Sequence, residues 1–301
     1  MKFGVVIANQ RATVDRVGDE LDRVEALGYD SAWMPGIPNG PDVLTLFAAT
    51  AHRARRIEVG PAIVSAYGRH PVALASQALT TNDALSGRLT LGIGVSHQRI
   101  VEEFLGLDYS HPARYMTEYL QVLLPLLRGE KADYAGQHVR TSFRLDVATR
   151  AVPPSVFIAA VGPRMLEVAG TYTAGAATWM VGLRTLAEQT VPLVRAAAAR
   201  AERPEPRILA SLPIALTNDD ETAAAWAADE FGMYGRLPAY KAVLEREGLD
   251  SAAGIAIYGD ESALRKAVDS IRDTGVTDLQ ITPFGDDETR SRTVEYLATL
   301  R

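Results

Sequence analysis

The sequence predicts an α/β protein of the (β/α)8 TIM-barrel class, a single domain over residues 1–301 with insertion segments. Three observations predict it. Eight short apolar runs alternate with helical segments, no run of consecutive strands interrupts the alternation, and the turn after the first run lacks the glycines of a doubly wound nucleotide fold. That turn reads Ile7-Ala-Asn-Gln-Arg-Ala-Thr13. The length of 301 residues also suits one barrel, since barrels of about 250 residues are ordinary single domains.

The first strand is residues 2–7, and residues 13–27 follow as a helix with Val14, Val17, Leu21, Val24 and Leu27 on one stripe. Gly28 stops that helix. Residues 29–34 form the second strand, and the prolines and glycines of residues 35–40 keep them out of either element. Asp42 caps a helix over 43–54. The third strand spans 57–64, and after a loop holding Ser65, Tyr67, Arg69 and His70, Pro71 opens a helix through Leu85. Strand four lies within residues 86–99. A helix over 112–127 precedes residues 129–150, which show no clear period and no hairpin signal and read as an insertion. Strand five is 156–161 with a helix over 165–172, and strand six is 176–181 with a helix over 186–201. Strand seven is 208–216. Thr217-Asn-Asp-Asp-Glu221 then signals a helix start, opening a helical insertion over 219–258. Gly259-Asp-Glu261 begins a further helix, strand eight is 278–284, and a last helix runs to Leu300.

Composition narrows the chemistry. Hydrophobic residues at 47% and charged residues at 23% match a soluble globular chain, and no apolar run approaches the ~20 residues of a membrane span. Met1 leads straight into the first strand, so a cytoplasmic protein is expected. The absence of cysteine excludes thiolate metal sites, disulfides and cysteine nucleophiles, and the five histidines have no spacing that sets two ligands on one helix face. A net charge of −6 argues against a nucleic-acid or membrane surface. The expected partner is a small-molecule substrate, with no metal.

Strand four carries the first site signal. Leu89, Leu91, Ile93 and Val95 suit a strand covered on both faces, and Gly92 and Gly94 clear side chains where something large approaches the backbone. Ser96, His97, Gln98 and Arg99 stand at its C-terminal end, where parallel α/β proteins place their chemistry. The same residues also suit a plain strand-to-helix turn with a solvated cap. Strand five carries the second signal: Gly162 as N-cap and Pro163 at the first helical position leave amides open, and Arg164 adds a positive charge, as a phosphate cradle needs. Trp33, Tyr67 and Trp179 fall at strand ends, where aromatic groups either wall a planar ring or fill the core. No two carboxylates pair at strand ends in the early part of the chain, so the chemistry is expected from a cofactor.

Four stretches together carry a resemblance: Gly28-Tyr-Asp-Ser-Ala-Trp33, Arg69-His-Pro-Val-Ala-Leu-Ala75, Ser86-Gly-Arg-Leu-Thr-Leu-Gly-Ile-Gly94 and Phe157-Ile-Ala-Ala-Val-Gly-Pro-Arg-Met-Leu-Glu-Val-Ala-Gly170. In this order they resemble the luciferase-like monooxygenase superfamily, and more narrowly its actinobacterial oxidoreductases dependent on coenzyme F420. The resemblance implies hydride transfer between that deazaflavin and a small organic substrate. FMN-dependent monooxygenation on the same barrel is the alternative cofactor chemistry, and a non-catalytic deazaflavin-binding protein is a third reading. It further implies a non-proline cis peptide on strand three, at Ala62, Ile63 and Val64, set against the cofactor ring. Gly94, Val95 and Ser96 would line the cofactor with Trp179, and its phosphate would take amides from Ala160, Val161, Gly162, Pro163 and Arg164. A homodimer is implied as well. Sugar-phosphate dehydrogenases of the superfamily carry an Asp-His pair where this chain reads Gly36-Ile37, and a glutamate where it has His97. Their mechanism therefore does not transfer, and His97 becomes the candidate catalytic residue, as proton donor or substrate hydrogen-bond group.

Overall fold

A computed structural model describes residues 1–301. In chain order the elements are β1 (Lys2–Val6), α1 (Val14–Ala26), β2 (Ser31–Met34), α2 (Val43–Ala49), β3 (Glu58–Pro61), β4 (Val64–Ser65), α3 (Pro71–Ala84) and β5 (Thr90–Gly94). One π-helical turn, Ile100–Phe104, leads to α4 (Pro112–Leu127), β6 (Ala132–Ala135), β7 (Arg140–Phe143), β8 (Ser155–Ala159) and α5 (Pro163–Tyr172). Next come β9 (Gly175–Trp179), α6 (Leu183–Thr185), a second π turn at Leu186–Thr190, α7 (Val191–Arg200) and β10 (Arg207–Leu216). The chain ends with α8 (Asp220–Phe231), α9 (Pro238–Glu247), β11 (Ile257–Gly259), α10 (Glu261–Asp273), β12 (Asp278–Pro283) and α11 (Asp287–Ala298). This is the (β/α)8 class that the sequence predicts: eight parallel core strands, β1, β2, β3, β5, β8, β9, β10 and β12, each followed by helix.

The residues group into two compact units. One comprises 1–6, 26–31 and 160–301, the other 7–25 and 32–159. In the first, parallel ladders join β1 to β12, β12 to β10 and β10 to β9, and β11 lies beside β10. Its strands are buried on both faces: Ile208, Leu209, Ala210, Leu279 and Ile281 are all fully enclosed, as the near-continuous apolar runs require. Asp278 opens β12 in the grip of Arg207, and both belong to this unit.

In the second unit Ala62 N donates to Met34 O (2.8 Å), Val59 pairs with Leu89, and β5 is in register with β8 from Thr90–Ser155 to Ile93–Ile158. The glycines of β5 are there for the chain itself. A Cβ on Gly92 would stand 2.1 Å from the Pro61 carbonyl oxygen, and one on Gly94 would stand 2.9 Å from Ile63 Cδ1 and 3.0 Å from Ala159 Cβ. What approaches β5 so closely is therefore the end of β3. The third strand of the sequence is correspondingly broken, with the expected non-proline cis peptide found between Ala62 and Ile63 and β4 resuming at Val64.

Two insertions differ from their expected content. Residues 129–150 contain an antiparallel hairpin, β6–β7, paired from Ala132–Phe143 to Ala135–Arg140. No turn motif announces it because its turn is held from outside, by Glu118 of α4: the carboxylate accepts from His138 N (2.6 Å) and Val139 N (3.1 Å). Burial opposes ionisation there, but these amides hold the Glu118 carboxyl below the usual range. Residues 219–258 are helical as expected, with α8 capped by Asp219 and α9 ended by left-handed Gly248, but they also begin β11. That strand is three residues long and pairs only with the overlong end of β10, too little for a period of two to show.

The two glycines Gly92 and Gly162 set a controlled contrast, since a Cβ at Gly162 meets nothing and its φ of −81° suits any residue. Gly92→Ala is expected to cost about 1–3 kcal/mol by overpacking against backbone, and Gly162→Ala less than about 0.5 kcal/mol. Urea unfolding of the two variants beside the parent checks this; equal midpoints would show that β3 does not crowd β5 as described.

Candidate active site

In the second unit the ends of β4 and β5 lie side by side, Ser65 in register with Gly94, and Ala66 N donates to Gly94 O (2.8 Å). Of the expected cofactor contacts, Val64 and Gly94 are buried, whereas Ala62, Ile63, Val95 and Ser96 are half-buried and reach the surface. Beside them the Ser65 hydroxyl oxygen is enclosed and unpartnered, a buried polar atom suited to a ligand bearing hydrogen-bonding groups. Loop 35–41 is tied to the same edge: Gly36 N donates to Ile63 O (3.1 Å), and the buried Asn9 donates through Nδ2 to Pro35 O (2.6 Å). Asn9 itself carries no sequence pattern that marks it.

Ser96 is left-handed at φ 59°, a conformation rare for serine outside sites where the surroundings impose it. The bend ends β5 and leaves His97 half-buried in the next position. Burial lowers the His97 pKa from its ordinary 6.5, so the imidazole is neutral at pH 7. It can then accept a proton or donate its one N–H, according to tautomer.

Four tyrosines of the same unit crowd these strand ends. Tyr109 donates to Ser96 O (3.1 Å), Tyr115 to Ala66 O (3.1 Å) and Tyr119 to Arg69 O (2.8 Å), so each pins a loop carbonyl. Tyr67 stacks on Tyr115 with ring centroids 4.1 Å apart and planes within 9°. Burial raises all four phenols, Tyr109 to about 12, so they are neutral donors at physiological pH. Trp33, by contrast, is core: it is 1% exposed and presses on Gly60, where a Cβ would meet its ring at 2.5 Å.

In the first unit, two helical segments start on glycine after a strand. At the start of α6, Gly182 is covered by the chain's own carboxylate, Glu247, which accepts from Thr185 N (2.6 Å) and Arg184 N (3.3 Å). At α5, Gly162 is exposed with no side-chain cap, Pro163 is at N1, and exposed Arg164 has no ion pair. The helices α2, α8, α10 and α11 all begin on aspartate, whose charge would repel an anion. An open, uncapped helix start with a spare guanidinium is what a phosphate needs. Not every expected amide is available: Ala160 N is spent on Ala177 O (3.0 Å) and Pro163 has none, which leaves Val161, Gly162 and Arg164 as donors. Gln189 donates to Val161 O (3.2 Å) and in turn accepts from Arg246, fixing the approach to that start. Trp179 is half-buried, edge-packed by Phe231 and Tyr234 at 5.9 Å each.

The chain matches the sequence profile of luciferase-like monooxygenases over residues 1–300. Among curated proteins it is 26% identical over 260 residues to the 5,10-methylenetetrahydromethanopterin reductase of Methanolobus tindarius, covering 86% of this chain and 78% of that one. The solved coenzyme F420-dependent tetrahydromethanopterin reductase of Methanopyrus kandleri superposes with a TM-score of 0.83 at 21% identity, over 99% of this chain and 97% of that one. The oxygenating constituent of 3,6-diketocamphane monooxygenase from Pseudomonas putida, solved with FMN, reaches 0.78 at 16% identity, over 99% and 97%. These likenesses share one fold and differ in cofactor.

The burial of His97 is directly measurable. Its imidazole resonances, identified by loss in His97→Gln, should titrate with a midpoint below 6.5. Below pH 6.5 the unfolded chain takes up a proton that the folded chain resists, so this group lowers stability as the pH falls through that range. A midpoint at or above 6.5 would mean that His97 is solvated or paired with a carboxylate.

Proposed function

The chain belongs to the luciferase-like monooxygenase family, and from that premise we propose that it is an oxidoreductase transferring a hydride between coenzyme F420 and a small organic substrate. The observation that carries a phosphate-bearing cofactor is the start of α5 on exposed Gly162 beside the unpaired Arg164; α4 and α9 also begin without a side-chain cap, but on His111 and Leu237 rather than on an open glycine. Hydride transfer is favoured over oxygenation because a relative that matches over 86% of the chain is a reductase. FMN is the alternative cofactor: it too carries a single phosphate, and a solved neighbour holds it.

The phosphate is assigned to the Gly162 and Arg164 amides and the Arg164 guanidinium, with Val161 and Pro163 shaping the turn. The ring is assigned to Ala62, Ile63 and Val64 with Gly94, Val95 and Ser96, whose apolar faces and unpartnered Ser65 hydroxyl fit a planar group with polar edges. Trp179 adds an aromatic face for the cofactor. When bound, the deazaflavin supplies or accepts the hydride. A carbonyl that gains a hydride at carbon must also gain one proton at oxygen, and the reverse reaction releases both. The proton is assigned to neutral His97, which takes it in oxidation and returns it in reduction. The reading includes a cytoplasmic homodimer; the chain has no helix long and apolar enough to cross a membrane.

Equilibrium titration of the purified protein with F420 and, separately, with FMN, followed by cofactor fluorescence, tests this reading. F420 should bind in preference, and Arg164→Ala and Gly162→Val should each weaken it, the former about tenfold, as loss of a charge-assisted hydrogen bond predicts. Preference for FMN would redirect the chemistry to oxygen. Binding of neither would remove the cofactor assignment, and F420 binding without turnover of any acceptor would leave a sequestering protein.

A further inference from the structure

We propose that the substrate is an uncharged molecule with an apolar body and one polar oxygen, and that the Tyr67 hydroxyl holds that oxygen. The proposal rests on the oxidoreductase reading only for the word substrate; the binding surface belongs wholly to the second unit. Three of its four clustered tyrosines spend their hydroxyls on backbone carbonyls, and Tyr67 does not. Its side chain is 6% exposed, yet its hydroxyl makes no hydrogen bond. A tyrosine enclosed over its ring that keeps an accessible hydroxyl with no partner in the chain offers a donor to a ligand acceptor. The ring cannot easily turn away. It is stacked on Tyr115 and tilted against Tyr109 at 5.5 Å, and Tyr109 is itself anchored to Ser96, the residue before His97.

The surroundings specify the rest of the molecule. Leu105 reaches over Gly68, next to Tyr67, and its neighbours Phe104 and Leu107 are 64% and 40% exposed, large apolar side chains left in water on one short segment. Such a segment suits an apolar body. Each arginine among them has a carboxylate partner: Arg69 is bound to Asp42 (2.7 Å) through Nη2, with its Nη1 enclosed and unpartnered, Arg99 to Glu103 (2.9 Å) and Arg114 to Glu118 (3.6 Å). Asp108 is ionised, its carboxyl held low by Ser110, and its charge helps to raise the Tyr67 phenol. The same field disfavours a carboxylate or phosphate on the ligand.

A matched pair of probes separates these properties: acetophenone, an uncharged aryl ketone, and 4-acetylbenzoate, the same ketone bearing a carboxylate. Binding to the full chain without cofactor is measured by ligand-observed NMR, with parent and Tyr67→Phe, and circular dichroism confirms that the variant is folded. Acetophenone should bind at least tenfold tighter than 4-acetylbenzoate, and Tyr67→Phe should weaken it about tenfold, the worth of one hydrogen bond made in a dry site. A second variant, Leu105→Asp, should weaken acetophenone while leaving the tyrosine cluster in place. Equal or tighter binding of the carboxylate, no binding of acetophenone, or an unaltered affinity in Tyr67→Phe would overturn the proposal. Because cofactor is absent, intact discrimination alongside failed F420 binding would overturn the oxidoreductase reading alone.

Discussion

The close approach of β3 to β5 is the constraint on which the second unit depends. The Pro61 carbonyl lies where a β5 side chain would be, so position 92 accepts only glycine, and Ile63 fills the space over Gly94. Contact this close between main chains aligns the strand ends rigidly, because neither partner has a side chain to flex. Ser65 falls opposite Gly94, and the carbonyl of Gly94 is taken by Ala66. The turn into Tyr67 and the bend at Ser96 are thereby set side by side, and Tyr109 and Tyr115 close over them by bonding to the carbonyls of Ser96 and Ala66. A second close contact supports the first: Gly60 accommodates both the Thr90 carbonyl and the Trp33 ring.

Much of this is legible in the sequence, and the division between what is and what is not follows from range. Period and capping act within a few residues, so the eight core strands and the helix starts at Asp42, Pro71 and Gly162 can be read from local pattern. The glycines of β5 signal a close approach, but their sequence does not say by what; the answer is 31 residues away, at Pro61. The β6–β7 hairpin is invisible for the same reason, since Glu118 supplies the contacts that an Asn-Gly turn would otherwise provide. His97 stands out by type and by place at a strand end. Tyr67 stands out only when the hydroxyls of Tyr109, Tyr115 and Tyr119 are seen to be engaged, which no spacing encodes.

Each unit also handles charge in its own way. In the second, burial keeps His97 and the tyrosines neutral, and the nearby arginines are consumed in ion pairs, so recognition there depends on neutral hydrogen bonds and apolar contact. In the first, the chain leaves a helix start uncapped and an arginine unpaired, while it covers the neighbouring start at Gly182 with Glu247. The Gly182 amides are occupied by the chain's own carboxylate, and those at Gly162 are not, which is the difference that the proposed phosphate site uses.

Neutrality at the strand ends bears on the direction in which the chemistry runs. A histidine held below its ordinary pKa is a poor acid at pH 7, because few copies carry the proton to be given, but it is a ready acceptor. On the proposed role of His97, reduction of a carbonyl would draw on the small protonated fraction, whereas oxidation of an alcohol would meet the imidazole already in its accepting form. The packing of β3 on β5 thus reaches His97 through the bend at Ser96, and the burial of the imidazole lowers its pKa.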